Sequence, residues 1–290
     1  MIKLRQAAAG FVVAVLVAAC GTNGLPSGAA ASLLPNLGSN APDPSAPLAA
    51  DSVAAYRAYL ETNTDLLVQR TTTFVNAVIA AKIVEARALY AAAREPYERI
   101  EPVAETFGDL DPAIDAREND VAAGAAFTGF HRLERALWQQ NSLVGMAPIA
   151  KKLLADVITL QGLVKTVDLD PATIANGAVG LLNEVSASKI TGEEDRYSHT
   201  DLWDFAANVV GAQAAFSAVR PLVAARSATL ATTIDAGFRA VLDALQPYQK
   251  GTGFVLYNTL TAADTQTLSQ LIDALADPLS QVAAIVVSAQ

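Results

Sequence analysis

Apolar residues recur at helical spacing along most of this chain. The first series is Val53, Tyr56, Leu60, Leu66, Leu67, Phe74 and Val78. Side chains three or four positions apart lie on one face of an α-helix, so this series predicts a helix. The helix is expected to begin near Asp51, whose carboxylate can cap the first turn. A second long helix is predicted from about Ala81 to Glu105, with a kink at Pro96.

Later segments repeat the helical pattern after a turn-rich acidic stretch, 109–120. The helices predicted there cover 121–140, 147–165, 171–189, 201–217, 220–246, 262–275 and 278–288. Turn signals such as Pro221 separate them, and no segment shows the alternation of a β-strand. We therefore predict an all-α fold. Because residues 51–290 are many for one simple bundle, two packed antiparallel bundles with a cleft between them are expected.

The N-terminus has the features of an export signal. Two basic residues precede the apolar run Phe11–Ala19, which is too short to span a bilayer as a stable helix. The following Val17-Ala-Ala-Cys20-Gly resembles a bacterial lipobox, in which the cysteine is lipidated and becomes the first mature residue. This resemblance predicts a signal peptide at 1–19 and a lipid anchor at Cys20. The alternative is a free cysteine in an ordinary signal peptide.

A flexible tether and then the helical domain are expected to follow the anchor. Residues 20–50 are rich in Gly, Ser, Pro, Asn and Ala and lack a helical period, which is typical of a tether. Residues 51–290 are predicted to form the helical domain. This organisation places the protein at the outer face of the cell membrane or in the periplasm.

Composition and charge exclude some classes of protein. Cys20 is the only cysteine, so the mature chain has no disulfide and depends on its own core. The net charge of the chain is −9, and without the signal peptide 18 basic residues face 29 acidic ones. Nucleic acid is not expected as a partner on this balance, whereas cations are better suited.

One of the two histidines lies in a motif that suits a metal ion. His131 and Glu134 are three positions apart on a predicted helix, so their side chains share a face. An imidazole and a carboxylate together suit a borderline divalent metal such as iron or zinc. Two ligands do not make a site, and the alternative is a structural histidine beside a surface carboxylate.

A second group of acidic residues follows Pro96. Glu98, Glu101 and Glu105 are spaced so that one helix would carry all three carboxylates in a stripe. Like charges at this spacing repel unless a cation lies between them. The stripe is therefore either a solvated acidic face or, if it faces the His131 helix, part of a metal site.

A third polar group, in 189–205, contains the other histidine. Ser198 and Asp201 match a helix-capping pattern, which explains part of the polarity. Capping does not account for Glu194, Asp195 and His199. Loop residues of this kind can complete a metal shell or contact a partner.

Four blocks of the sequence resemble the imelysin (M75) domain of EfeO-type iron-uptake proteins. They are Ala93-Arg-Glu-Pro-Tyr-Glu-Arg-Ile-Glu-Pro102, Phe107-Gly-Asp-Leu-Asp-Pro112, Phe127-Thr-Gly-Phe-His-Arg-Leu-Glu134 and Lys189 through Phe205. The blocks occur in the family's order, and the similarity covers nearly all of the chain from Asp51 onward. It implies an all-helical, imelysin-like fold. The family's Gly-x-His-x-x-Glu motif is taken as part of a metal site, and Gly129, His131 and Glu134 match it.

The resemblance also implies a function. It indicates a lipoprotein outside the cytoplasm that binds a metal, with ferrous or ferric iron as cargo, and delivers it to a membrane permease. A peroxidase is a further partner that the resemblance suggests, and zinc or copper are alternative ions. Full-length EfeO-type proteins carry an N-terminal cupredoxin domain, whereas this chain has the predicted tether there. The chain therefore resembles an M75-only form, and the copper or redox role of that domain is not carried over.

Two other functions stay open at the level of sequence. The M75 name records a proposed metallopeptidase activity, but position 135 is Arg135 and the His-Glu-x-x-His helix of zincins is missing. Because catalytic zinc needs about three protein ligands and a general base, we do not favour an enzyme. A polysaccharide-binding module is the other alternative. Its stacking residues would be Tyr97, Trp138, Tyr197 and Trp203, although aromatic residues in helical bundles usually belong to the core.

Overall fold

The structure is a computed structural model that describes residues 46–287, apart from the side chain of Glu105. The predicted signal peptide, Cys20 and most of the predicted tether lie outside the described residues. These three therefore stay predictions.

The described chain is almost entirely helical, which confirms the predicted fold class. Its α-helices are α1 Ala46–Ile79, α2 Ile83–Ile100, α3 Leu110–Asp115, α4 Gly129–Trp138, α5 Ala147–Val164, α6 Pro171–Ala187, α7 Asp201–Arg226, α8 Ala228–Leu245, α9 Ala262–Leu279 and α10 Val282–Val287. Short 3₁₀ segments are found at Glu101–Phe107, Lys189–Thr191, Gln246–Tyr248 and Tyr257–Thr259. One small antiparallel hairpin joins β1 Gln249–Lys250 to β2 Gly253–Phe254, with Gln249 opposite Phe254.

The helices pack as two groups that meet along α2 and α7. In the first group α1 packs against α2 and α5, and α4 packs against α2 and α5. In the second group α6 and α8 pack against α7, and α9 packs against α6 and α8. Helix α7 also contacts α1 and α2, so it joins the groups. One continuous apolar core runs through both groups, in which Phe74, Phe130 and Phe216 are fully or almost fully buried.

Helices α2 and α7 run side by side in the same direction. Arg94 contacts Asp204, and one helical turn further along both helices Glu98 contacts Asn208. Charged and polar side chains therefore lie between the two groups of helices, where the prediction placed a cleft. This junction carries the candidate site.

Several helix boundaries differ from the sequence prediction. Helix α1 begins at Ala46, so Asp51 lies inside the helix instead of capping it. Helix α2 ends at Ile100, and a 3₁₀ segment replaces the predicted last turn. Helix α4 begins only at Gly129, because 121–128 form turns and irregular structure.

Helix α7 was expected to end before Pro221 but continues through it to Arg226. A proline inside a helix removes one hydrogen bond and disfavours the preceding turn. The surrounding residues Val219, Leu222 and Val223 are fully buried, so tertiary packing holds the helix together across the proline.

The stretch Ala262–Val287 has the length and composition of a membrane-spanning helix, with a mean hydropathy of 1.3. In the structure it contains α9 and α10, and the side chains of Leu268, Ile272 and Leu275 are buried in the core. One face of this stretch is therefore packed against the neighbouring helices.

Candidate metal centre

A cluster of charged side chains is buried between α2, α4, α7 and the loop before α7. Its fully or almost fully buried members are Arg94, Glu98, His131, Glu134, Lys189, Glu194, Asp195, Asp201 and Asp204. Charged groups are rarely buried unless they are paired or bind an ion. The cluster includes members of all three polar groups predicted from the sequence, so the fold brings those groups together.

His131 lies at the centre of this cluster, and only 2% of its surface is exposed. Its Nδ1 atom is 3.3 Å from Oε2 of Glu134 and 3.9 Å from Oδ1 of Asp195. Its Nε2 atom is 3.5 Å from Oε1 of Glu194 and 3.7 Å from Oδ1 of Asp115. Both ring nitrogens therefore face carboxylates, on opposite edges of the imidazole.

Gly129 explains how α4 brings His131 next to Asp115. The backbone of Gly129 is left-handed, with φ of 78°, and a Cβ atom there would lie 2.1 Å from the carbonyl oxygen of Ile114. Only glycine permits both this conformation and this close approach. The first turn of α4 therefore packs directly on the end of α3, where Asp115 follows Ile114.

Replacing Gly129 with alanine is expected to destabilise the fold and displace His131. The matched control is Gly124→Ala, because Gly124 also has a positive φ, 85°, but open space around its Cβ position. Both variants carry the strain of a left-handed alanine, of about 1–2 kcal/mol. Gly129→Ala should lose roughly 1–3 kcal/mol more through overpacking. Urea denaturation of the two variants measures their free energies of unfolding. Equal losses of stability would show that the contact with Ile114 does not matter.

Glu134 connects α4 to the loop that precedes α7. Its Oε1 atom accepts hydrogen bonds from the backbone N–H of Tyr197 at 2.8 Å, the backbone N–H of Ser198 at 2.8 Å and the Ser198 hydroxyl at 3.0 Å. Its Oε2 atom faces Nδ1 of His131. One buried carboxylate therefore fixes both the imidazole ring and the loop.

Arg94 supplies most of the positive charge in the cluster. It pairs with Glu98 and Asp115, and it is also 3.3 Å from carboxylate oxygens of both Glu194 and Asp204. The side chain is fully buried. A buried guanidinium can bind several carboxylates at once because its donors point outward in a planar fork.

Lys189 neutralises the first two members of the predicted acidic stripe. Its Nζ atom is 3.0 Å from Oε2 of Glu98 and 2.6 Å from Oε1 of Glu101. Asn208 donates a further hydrogen bond of 3.0 Å to Oε2 of Glu98. The side chain of Glu105, the third predicted member, lies outside the described part of the structure.

Carboxylates dominate the electrostatics at the imidazole. Burial and the Arg94 guanidinium lower the pKa of His131, but its contacts with Glu134 and Glu194 outweigh both and raise that pKa to about 10. Burial raises the pKa of Asp115 to about 7, against the opposing effect of Arg94. The cluster therefore favours a proton on the imidazole, and a metal ion bound by the same carboxylates would compete with that proton.

A cavity of about 740 Å³ opens onto one edge of the cluster. Asp115 and Glu194, the carboxylates beside Nε2 of His131, are in its wall. The remaining wall comes from the 3₁₀ segment Glu101–Phe107, the stretch after α3 and helix α6. These two carboxylates therefore border both the cavity and the buried Nε2 edge of the ring.

Three combinations of side chains have ligand atoms within 4.8 Å of one another among the described residues. They are Asp115, His131 and Glu194; His131, Glu134 and Asp195; and Glu98, Glu101 and Asp115. The second predicted histidine, His199, belongs to none of them. Its backbone is left-handed, with φ of 59°, and its carbonyl oxygen accepts a hydrogen bond from the backbone N–H of Tyr257.

Several members of the cluster were not predicted from the sequence. Asp115 was read only as part of a turn-rich acidic stretch, although it ends the short helix α3. Tyr90 is fully buried, and its hydroxyl donates to Oδ1 of Asp195 at 2.9 Å. A usable signal existed for Arg94: it precedes Glu98 by one helical turn, between the apolar positions Tyr90 and Tyr97.

The fold and the cluster define an all-helical protein with a histidine–carboxylate centre at the wall of a cavity. A family model described as imelysin (peptidase M75) matches residues 52–282. The chain belongs to the imelysin family.

Relatives with high sequence identity are named as iron-uptake proteins. The "Iron uptake system component EfeO" of Escherichia coli K12 is 47% identical over 233 residues, which cover 79% of this chain and 62% of that relative. Proteins of the same name from Shigella flexneri and from Shigella sonnei have the same identity and coverage. The chain thus spans less than two thirds of the length of these relatives.

Proposed function

We propose that this chain is an extracytoplasmic component of an iron uptake system and that it binds iron at the cluster around His131. The names of the relatives support the role in iron uptake. Support for the ion's position comes from the chemistry of the cluster. The two arguments are independent, because the first depends on similarity and the second on geometry.

One observation carries the proposed position of the ion. The Nε2 atom of His131 is buried and has no hydrogen-bond partner among the described residues, and it faces the carboxylates of Asp115 and Glu194 at the cavity wall. A buried polar atom without a partner costs free energy unless something binds to it. An ion at this point would bind one nitrogen and at least two oxygens.

The donor set suits iron. One imidazole with several carboxylates is a hard to borderline set, which favours iron over soft ions. Ligands from thiolates would hold an ion too tightly for easy exchange, whereas carboxylates at a cavity wall permit release. Zinc and copper are the competing ions, since imidazole also binds both.

Delivery of the ion is the remaining part of the proposal. The chain would pass iron to a membrane permease, with a peroxidase as a further partner. A lipid on Cys20 would hold the helical domain at the outer face of the membrane, with the predicted tether between the lipid and the domain. A loosely anchored carrier can approach a permease while its cavity stays open to solvent.

Ferrous iron binding under anaerobic conditions tests the proposal, with ferric iron, zinc and copper measured in parallel. Asp115→Asn should weaken iron binding by roughly tenfold or more, since it removes a charged ligand. Asp120→Asn is the matched control, because Asp120 also lines the cavity but belongs to none of the three ligand combinations. Its affinity should stay within about twofold of wild type. Failure of the wild-type protein to bind iron, or equal losses in both variants, would refute the proposed site.

A further inference from the structure

We infer that the ion binds Nε2 of His131 alone, and that Glu134 is a positioning residue which holds the opposite edge of the ring. This inference rests on the proposed function, because it assumes that His131 binds a metal. It assigns different roles to the two residues of the His-x-x-Glu motif, although their spacing alone suggests two ligands of one ion. Four observations lead to it.

The first observation is that both oxygens of the Glu134 carboxylate already have partners. A carboxylate has about four acceptor positions. Tyr197 and Ser198 supply three donors to Oε1, at 2.8, 2.8 and 3.0 Å, and Nδ1 of His131 is 3.3 Å from Oε2. Coordinating a metal through Oε1 would break contacts that fix the loop, and coordinating one through Oε2 would displace Nδ1 of His131.

The second observation fixes the position of the ring proton. An ionised carboxylate only accepts hydrogen bonds, so Nδ1 must be the donor in its contact with Glu134. A metal that binds Nε2 displaces the second proton of the protonated ring and leaves the remaining proton on Nδ1. Metal-bound histidines commonly donate their other N–H to a carboxylate in this way, which fixes the tautomer.

The third observation is that Asp195, the other carboxylate near Nδ1, has its own partners. Its Oδ1 atom accepts the Tyr90 hydroxyl at 2.9 Å, and its Oδ2 atom accepts the Thr200 hydroxyl. Asp195 itself is fully buried. The Nδ1 edge of the ring is thus closed by packed, hydrogen-bonded groups.

The fourth observation is that the Nε2 edge, although buried, lies next to the cavity wall. Within the described part of the chain Nε2 has no hydrogen-bond partner, and the two carboxylates nearest to it line the cavity. They are Glu194 at 3.5 Å and Asp115 at 3.7 Å. An ion that enters from the cavity would meet these two carboxylates, and Nε2 lies within 3.7 Å of both.

Glu134 also fixes the His131 ring relative to the loop before α7, because it contacts both. The same carboxylate that orients His131 binds the backbone at Tyr197 and Ser198, shortly after the ligand Glu194 in the chain. Glu134 therefore sets the position of the imidazole relative to Glu194. A neutral amide at 134 would keep acceptors for the loop but present an N–H group to Nδ1, which favours the wrong tautomer.

Nitrogen NMR of the full chain labelled with ¹⁵N-histidine tests this inference, with zinc as the diamagnetic probe. The chain has only two histidines, so the His199→Asn variant assigns the signals. We expect zinc to shift Nε2 of His131 while Nδ1 keeps its proton. Zinc on Nδ1 would overturn the inference but leave the proposed function standing. No response of either His131 nitrogen would contradict the proposed function itself.

The Glu134→Gln variant provides a second test through affinity. We expect zinc and iron to bind about 10–100-fold more weakly, the usual effect of losing a carboxylate that orients a ligand histidine. The NMR spectrum of this variant should show that Nδ1 of His131 has lost its proton. Glu118→Gln is the matched control, since Glu118 also pairs with an α4 residue, Arg135, and accepts from the Tyr197 hydroxyl at the surface. Equal affinity in Glu134→Gln and wild type would overturn the inference.

Discussion

Replacing His131 with alanine is expected to weaken iron binding by more than about 100-fold. Loss of a group that merely orients a ligand costs about 10–100-fold, and loss of the only nitrogen ligand should cost more. The remaining carboxylates would still attract cations, but Arg94 and Lys189 neutralise several of them. Isothermal titration calorimetry with ferrous iron under anaerobic conditions measures the change.

His199→Asn is the control for this prediction. His199 is the chain's other histidine, and asparagine tolerates its left-handed backbone better than alanine does. Its iron affinity should stay within about twofold of wild type, since His199 belongs to none of the described ligand combinations. Comparable losses in the two variants would mean that the iron lies nearer the loop than His131.

Replacing Arg94 with methionine is expected to destabilise the fold by about 3–5 kcal/mol, the usual result of removing one partner from a buried ionic group. The variant leaves Glu98, Asp115, Glu194 and Asp204 without their shared cation. For a domain of this size the melting temperature should fall by roughly 10 °C. Adding a divalent ion should restore more stability to this variant than to wild type, because the ion supplies the missing positive charge.

Arg220→Met is the matched control for Arg94. Arg220 binds Asp235 through two nitrogens, but both side chains are partly exposed. Exposed ion pairs contribute about 0–1 kcal/mol, so this variant should melt within a few degrees of wild type and gain nothing from the ion. Equal melting temperatures for the two variants would contradict the role given to Arg94.

The sequence was sufficient to predict the fold class, and it also pointed to part of the candidate site. Helical periodicity identified most helices, because a buried helix face requires an apolar residue every three or four positions. His131, Glu134 and Glu194 were found as polar residues in segments that otherwise read as helix or capped turn. Those signals depend only on residues that are close together in the chain, so a single sequence is enough to detect them.

The missing parts of the site depend on contacts between distant segments. Arg94 and Glu98 have the spacing of an exposed ion pair, and only the packing of α7 against α2 shows that they are buried. Asp115 reaches His131 because Gly129 lets α4 approach α3 closely, which no periodicity encodes. Lys189 was inside a recognised block, but its pairing with Glu101 spans separate helices.

Crystals of the iron-loaded protein, measured at the iron absorption edge, give the most direct test of the proposed centre. The anomalous difference map should show a peak about 2 Å from Nε2 of His131, with oxygens of Asp115 and Glu194 at similar distances. The side chain of Glu134 should remain bound to the loop. A peak bound to other carboxylates, with Nε2 of His131 left free, would contradict the account.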